Sequence, residues 1–103
     1  MDYNYIYMYE VEFMKLAENY MLKEIAGNYV VIPVGQNVVD YKGMLHLNPT
    51  GAFICKCLEE ETSMEAILEK MYAEYQAEEE DKPIITADLN DFIGNAKSIG
   101  LII

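Results

Sequence analysis

Arginine and tryptophan are absent from this 103-residue chain, histidine occurs once, and there are two cysteines and three prolines. Each scarcity removes a class of function. Arginine is the usual bidentate reader of guanine and a common clamp on phosphate. Seven lysines in a chain of net charge −11 would have to hold a polyanion against that field, which argues against nucleic-acid binding. One histidine, His46, and two cysteines, Cys55 and Cys57, fall short of a zinc ligand set. Helical neighbours two apart point to nearly opposite sides, so the two thiols cannot chelate one metal together. They are expected to be reduced and to act as small apolar residues. No apolar run approaches the roughly 18 residues that cross a bilayer, and Met1-Asp2-Tyr3-Asn4 does not read as the start of a signal peptide. No membrane association and a cytoplasmic location are the expectation.

What is present is apolar residues, tyrosine and acid. Apolar residues make up 52% of the chain, enough for one domain with a modest core. The acid is concentrated: residues 59 to 81 hold Glu59, Glu60, Glu61, Glu65, Glu69, Glu74, Glu78, Glu79, Glu80 and Asp81 against Lys70 alone. Such a run reads as the solvated face of a helix, serving solubility or a basic partner surface. Glu78 to Asp81 lack the spaced ligands and glycine of a calcium loop. The six glycines are scattered singly, so no phosphate-cradling loop is present. His46 has no sequence neighbour that would make it a dyad or triad. No catalytic residue, metal or cofactor is expected, and a binding module outranks an enzyme.

The order of elements is strands, then helices. Tyr3, Tyr5, Tyr7 and Tyr9 alternate with other residues at strand period. Residues 1–13 are either an extra edge strand, in the same molecule or in a homodimer partner, or a frayed extension with Met14 as the true start. The domain proper is expected to span residues 14–103. Tyr20 to Ala26 and Tyr29 to Val34 read as a hairpin turned at Gly27-Asn28. Pro33 should end the second strand or lie where the ladder is open. Val38 to Tyr41 is a short strand or a bulge, and Met44 to Leu47 is the third strand, with Leu45 and Leu47 on the core face. Asn48 caps the next helix and Pro49 fits its first turn. Three helices follow: Pro49 to Glu60, one starting at Thr62 or Ser63 with a Thr62/Glu65 capping box, and Ile85 to Ser98 with an Ile85, Leu89, Phe92, Ala96, Ile99 stripe. Gly100 should end the last helix, and Leu101 to Ile103 should dock as an apolar tail. The expected class is α+β, an N-terminal three-stranded antiparallel sheet followed by three helices in a winged helix-turn-helix-like bundle.

A sheet of this size leaves strand edges on which a peptide can add, with affinity from main-chain hydrogen bonds and selectivity from side-chain pockets. Three stretches then carry a family resemblance. They are Tyr20-x-Leu22-x-Glu24-Ile25-Ala26-Gly27-x-Tyr29-Val30-Val31-x-Pro33-Val34-Gly35, Gly43-Met44-Leu45-x-Leu47-Asn48-x-Thr50-Gly51-Ala52-x-Ile54, and Asp88-Leu89-x-x-Phe92 continuing to Ile99-Gly100-Leu101-Ile102. In this order the chain resembles the coenzyme PQQ synthesis protein D family over residues 14–103. The resemblance implies a recognition element that binds the leader of a ribosomally made precursor peptide as a strand. It presents that leader to a modifying enzyme, often a radical S-adenosylmethionine protein. Carried onto this chain, the peptide site is Met44, Leu45, His46 and Leu47, faced by Asp88, Asp91, Phe92, Asn95 and Ala96. Two departures are Cys55 and Cys57, where the family often carries Trp and Leu. Two other classes compete: a winged-helix DNA-binding regulator, disfavoured by charge, and a structural subunit permanently bound to an enzyme.

Overall fold

The computed structural model describes residues 12–35 and 38–103. The Tyr-alternating segment through residue 11 and the Gln36-Asn37 part of the expected loop lie outside the described residues. The chain runs β1 (Phe13–Met14), β2 (Tyr20–Ile25), β3 (Asn28–Gly35), β4 (Val38–Val39), β5 (Leu45–His46), α1 (Pro49–Cys57), β6 (Thr62–Ser63), α2 (Met64–Glu74) and α3 (Lys82–Ser98). Tight 3-10 turns occupy Tyr41–Gly43 and Glu79–Asp81. The fold is α+β, with antiparallel ladders and three helices.

β3 organises the main sheet. β2 pairs along it from Ile25↔Asn28 to Tyr20↔Pro33. Its other edge is shared by β5, at Val30↔His46 and Val31↔Leu45, and by β4, at Val34↔Val39 and Gly35↔Val38. Among the described residues the sheet therefore has four strands, not the expected three, because Val38–Val39 forms a ladder of its own. The hairpin turn lies one residue earlier than expected, at Ala26 (φ 52°) and Gly27 (φ 83°). Both central residues of a two-residue hairpin loop matching the sheet twist take positive φ, which releases Asn28 to pair with Ile25. β3 continues through Pro33 because the proline turns its donor-less side toward β4. There its carbonyl accepts from the Asp40 amide at 2.9 Å. Gly43 is required beside it: a Cβ there would stand 2.9 Å from the Pro33 ring.

The helices start where polar side chains satisfy their first amides. Asn48 Oδ1 accepts from the Gly51 amide at 2.7 Å, with Pro49 in the first turn. α1 stops at Cys57, short of the expected Glu60, where Leu58 tightens the last turn. The following Glu59-Glu60-Glu61 run would have placed like charge on the negative end of the helix. Ser63 caps α2, its hydroxyl accepting from the Ala66 amide at 3.2 Å. Thr62 is no cap, since it is spent in a second, two-stranded ladder opposite Met14. α3 starts at Lys82, three residues before the expected Ile85, with Pro83 in its first turn. Thr86 is consequently inside the helix, where its hydroxyl lies 2.9 Å from the Tyr72 hydroxyl.

The core is closed by Met14, Leu16, Val31, Ile54, Cys55, Leu58, Ile67, Met71, Leu89, Ile93, Ala96, Leu101 and Ile102. The apolar tail docks as expected: Lys15 and Ile103 exchange backbone hydrogen bonds at 3.0 and 2.9 Å, and Ala17 donates to Leu101 at 2.8 Å. Gly100, at φ 77°, supplies the left-handed residue that turns the chain out of α3. The buried face of α3 keeps Leu89 and Ala96 of the expected stripe and adds Ile93. Ile85 and Phe92 flank it, and Ile99 is 53% exposed. Among the described residues no helix is long and apolar enough to cross a membrane.

Candidate functional site

β5 and α3 enclose the site. Antiparallel pairing alternates hydrogen-bonded and non-hydrogen-bonded pairs. The Leu47 amide donates to the Tyr29 carbonyl at 3.0 Å, so Leu45, two residues back and opposite Val31, also turns its backbone toward β3. His46, opposite Val30, turns its N–H and C=O the other way, to the open edge. Met44 has the same parity, but its N–H is taken by the Tyr41 carbonyl at 3.3 Å. β5 is therefore two residues long, and its donor without a partner among the described residues is His46.

Below that edge lies a cleft of roughly 390 Å³ lined by Leu45, His46, Leu47, Phe92, Asn95, Ala96, Ser98, Ile99 and Leu101. Leu45 is 36% exposed. It lines this cleft and does not occupy the core position expected of it, whereas Leu47 is half-buried and packs on the core. A second cleft of roughly 330 Å³ shares Phe92 with the first. Its walls are Asn48, Thr50, Gly51, Ile54, Asp88 and Asp91. Gly51 makes room for the aromatic ring: a Cβ there would stand 3.2 Å from Phe92 Cε2.

Six of the residues singled out from the sequence thus meet in one cleft: Leu45, His46, Leu47, Phe92, Asn95 and Ala96. Asp88 and Asp91 lie in the adjoining one. Met44 lines neither, being half-buried and committed to the Tyr41 turn. Ser98, Ile99 and Leu101 were missed. The signal for Ile99 was its i+7 spacing from Phe92, which was read as core. On the other side of Leu47, Lys56 Nζ sits 4.1 Å from the Tyr29 ring centroid, and hydrogen bonding to Tyr29 chiefly holds the ammonium above its ordinary pKa.

The thiols are not poised as nucleophiles. Burial pushes Cys55 up to about 12, aided by the nearby Glu59 carboxylate and Cys57. Burial also raises Cys57, with Lys70 opposing. A thiol that resists ionisation in the fold favours the fold while it stays protonated. That contribution is complete below pH 9, the ordinary value, and is lost as pH rises toward 12. At pH 8, iodoacetamide should alkylate native Cys57 slowly and Cys55 only after unfolding, read as adduct mass by peptide mapping. Fast native labelling of Cys55 would contradict its place in the core.

Together the fold and the cleft define a small α+β domain whose β5 edge, unpaired among the described residues, lies over a helix-walled furrow. The chain belongs to the coenzyme PQQ synthesis protein D (PqqD) family, whose model matches residues 29–102. Among solved structures it is similar to one described as TbiB1 in complex with the TbiA(beta) leader peptide. The TM-score is 0.66 and the sequence identity 23%, over 85% of this chain and 93% of that one; the likeness is one of fold. No curated protein matches the chain.

Proposed function

We propose that the protein is a non-catalytic recognition element that binds the leader of a ribosomally synthesised precursor peptide by strand addition at β5. The observation that carries this reading is the outward N–H and C=O of His46 above the apolar wall of Phe92, Ala96 and Ile99. An extended peptide there gains main-chain hydrogen bonds on one side and side-chain pockets on the other. Family membership and the likeness to a fold solved with a leader peptide support it. In this reading the sheet and helices form a winged helix-turn-helix-like unit. Its product is proximity: a bound leader is held near the modifying enzyme, in our reading a radical S-adenosylmethionine protein of the cytoplasm, and the rate gain comes from effective concentration. Absent arginine and a net charge of −11 disfavour the DNA-binding alternative.

The test is an amide NMR titration of the labelled protein with the leader of the precursor encoded beside it. Shifts should concentrate in residues 44–47 and 88–98. Shifts gathered instead on the acidic face of α2, or DNA binding that falls steeply with salt, would overturn the reading.

A further inference from the structure

The furrow beside α3 changes character along its length. Around Phe92, Asn95 and Ala96 it is closed by Leu45, Leu47 and Leu101. Past Phe92 the lining is more polar, with Asp88, Asp91, Asn48 and Thr50 beside Gly51 and Ile54. Gly51 lets the two sides close up: a Cβ there would stand 3.2 Å from Phe92 Cε2 and 3.1 Å from Asn48 Oδ1. Asp88 and Asp91 are one helical turn apart and share a face. Both are exposed. The described ion pairs, Lys82 with Glu79 and Lys97 with Glu12, involve neither. Two carboxylates thus border a cleft that shares its Phe92 wall with the apolar one.

Resting on the peptide-binding reading above, we propose that Asp88 and Asp91 select a lysine or arginine in the bound peptide. Its position relative to the apolar residues follows from the geometry. Asn95 and Asp88 are two helical turns apart, about 11 Å, which an extended peptide covers in about three residues. β5 leads into Asn48 and so points toward the acidic end. Every ladder among the described residues is antiparallel. A peptide that continues this pattern runs against β5 and reaches the carboxylates first. The basic residue therefore precedes the apolar anchors by about three positions. A competing account is that the two acids only offset the positive end of α1. It predicts a stability change on their removal and no peptide preference.

A displayed library of random dodecapeptides, selected on the immobilised full chain, decides between them. Wild type should enrich peptides with Lys or Arg about three residues before a pair of apolar residues. The D88N/D91N variant, checked for folding by its amide spectrum, should lose that basic enrichment. The best wild-type peptide should bind the variant about three- to tenfold more weakly. Exchanging its arginine for neutral citrulline should weaken binding to wild type by the same factor and have no further effect on the variant. Added salt should narrow the gap. Selection of apolar anchors with no basic preference, or a basic residue after the anchors, would overturn this inference and leave the peptide-binding reading standing. Failure to select any peptide would overturn both.

Discussion

Replacing His46 with proline should weaken leader binding roughly thirty- to hundredfold while the domain stays folded. The His46 amide is the outward donor of β5, because Leu47 donates to Tyr29 and the ladder alternates from there. Proline deletes that donor and puts a ring where the incoming strand must approach. An unpaired peptide carbonyl at a closed interface costs about 1–3 kcal/mol, and loss of close approach adds to it. A total of about 2–3 kcal/mol corresponds to the stated factor. The β3 ladder is untouched, since His46 does not bond to it, and Leu45 is already extended, as a residue before proline prefers. Leu45→Pro would behave differently. Its amide faces Val31, so the substitution breaks the sheet from within and confounds binding with unfolding. His46→Ala keeps the amide and should bind within a few-fold of wild type. Calorimetric titration with the leader, alongside urea unfolding, separates the variants. Unchanged affinity in a folded His46→Pro protein would remove the strand-addition model.

That contrast marks where the sequence stops being informative. The placement of β5 after a hairpin, the Asn48-Pro49 helix start, the Gly100 stop and the docked tail were all legible, because each rests on a local preference of one or two residues. Strand parity was not legible. Met44 and His46 against Leu45 and Leu47 is an alternation with apolar residues on both faces. Nothing local says that Met44 will close the Tyr41–Gly43 turn and leave a two-residue strand. α3 was misread for a related reason. Phe92 drew the apolar stripe toward itself, but Ile93, one position on, is the residue that meets Leu89 and Ala96 in the core. The displaced face, with Phe92 and Ile99, is the wall of the cleft. A helix that serves both a core and a groove needs apolar residues over a wider arc than a core helix, and the sequence does not say which edge of the arc is which. Thr62 and Ser63 show the same limit: both can cap, and pairing with Met14 decides.

Phe92→Ala should cost more in binding than in stability, and this inequality assigns the residue. Phe92 is half-buried, packs against the core cluster, and forms the wall common to both clefts. A fully buried phenylalanine truncated to alanine costs about 3–5 kcal/mol. Half-burial reduces this to roughly 1.5–2.5 kcal/mol, which a domain of ordinary stability survives. In the groove the ring is the large rigid surface against which peptide side chains would pack. Aromatic anchors of that kind carry about 2 kcal/mol or more, at least thirtyfold in affinity. Leu89→Ala is the control on the same helix. Leu89 has no exposed surface and lines neither cleft. It should cost about 2–5 kcal/mol in urea unfolding and leave the affinity of the folded fraction unchanged. Phe92→Leu, which restores most of the volume but not the flat ring, should recover more stability than binding. If Phe92→Ala instead behaves like Leu89→Ala, losing stability alone, the ring belongs to the core and the peptide must bind elsewhere on the edge. If both variants lose binding in proportion to stability, affinity follows folding, and the α3 wall makes no separate contribution to recognition.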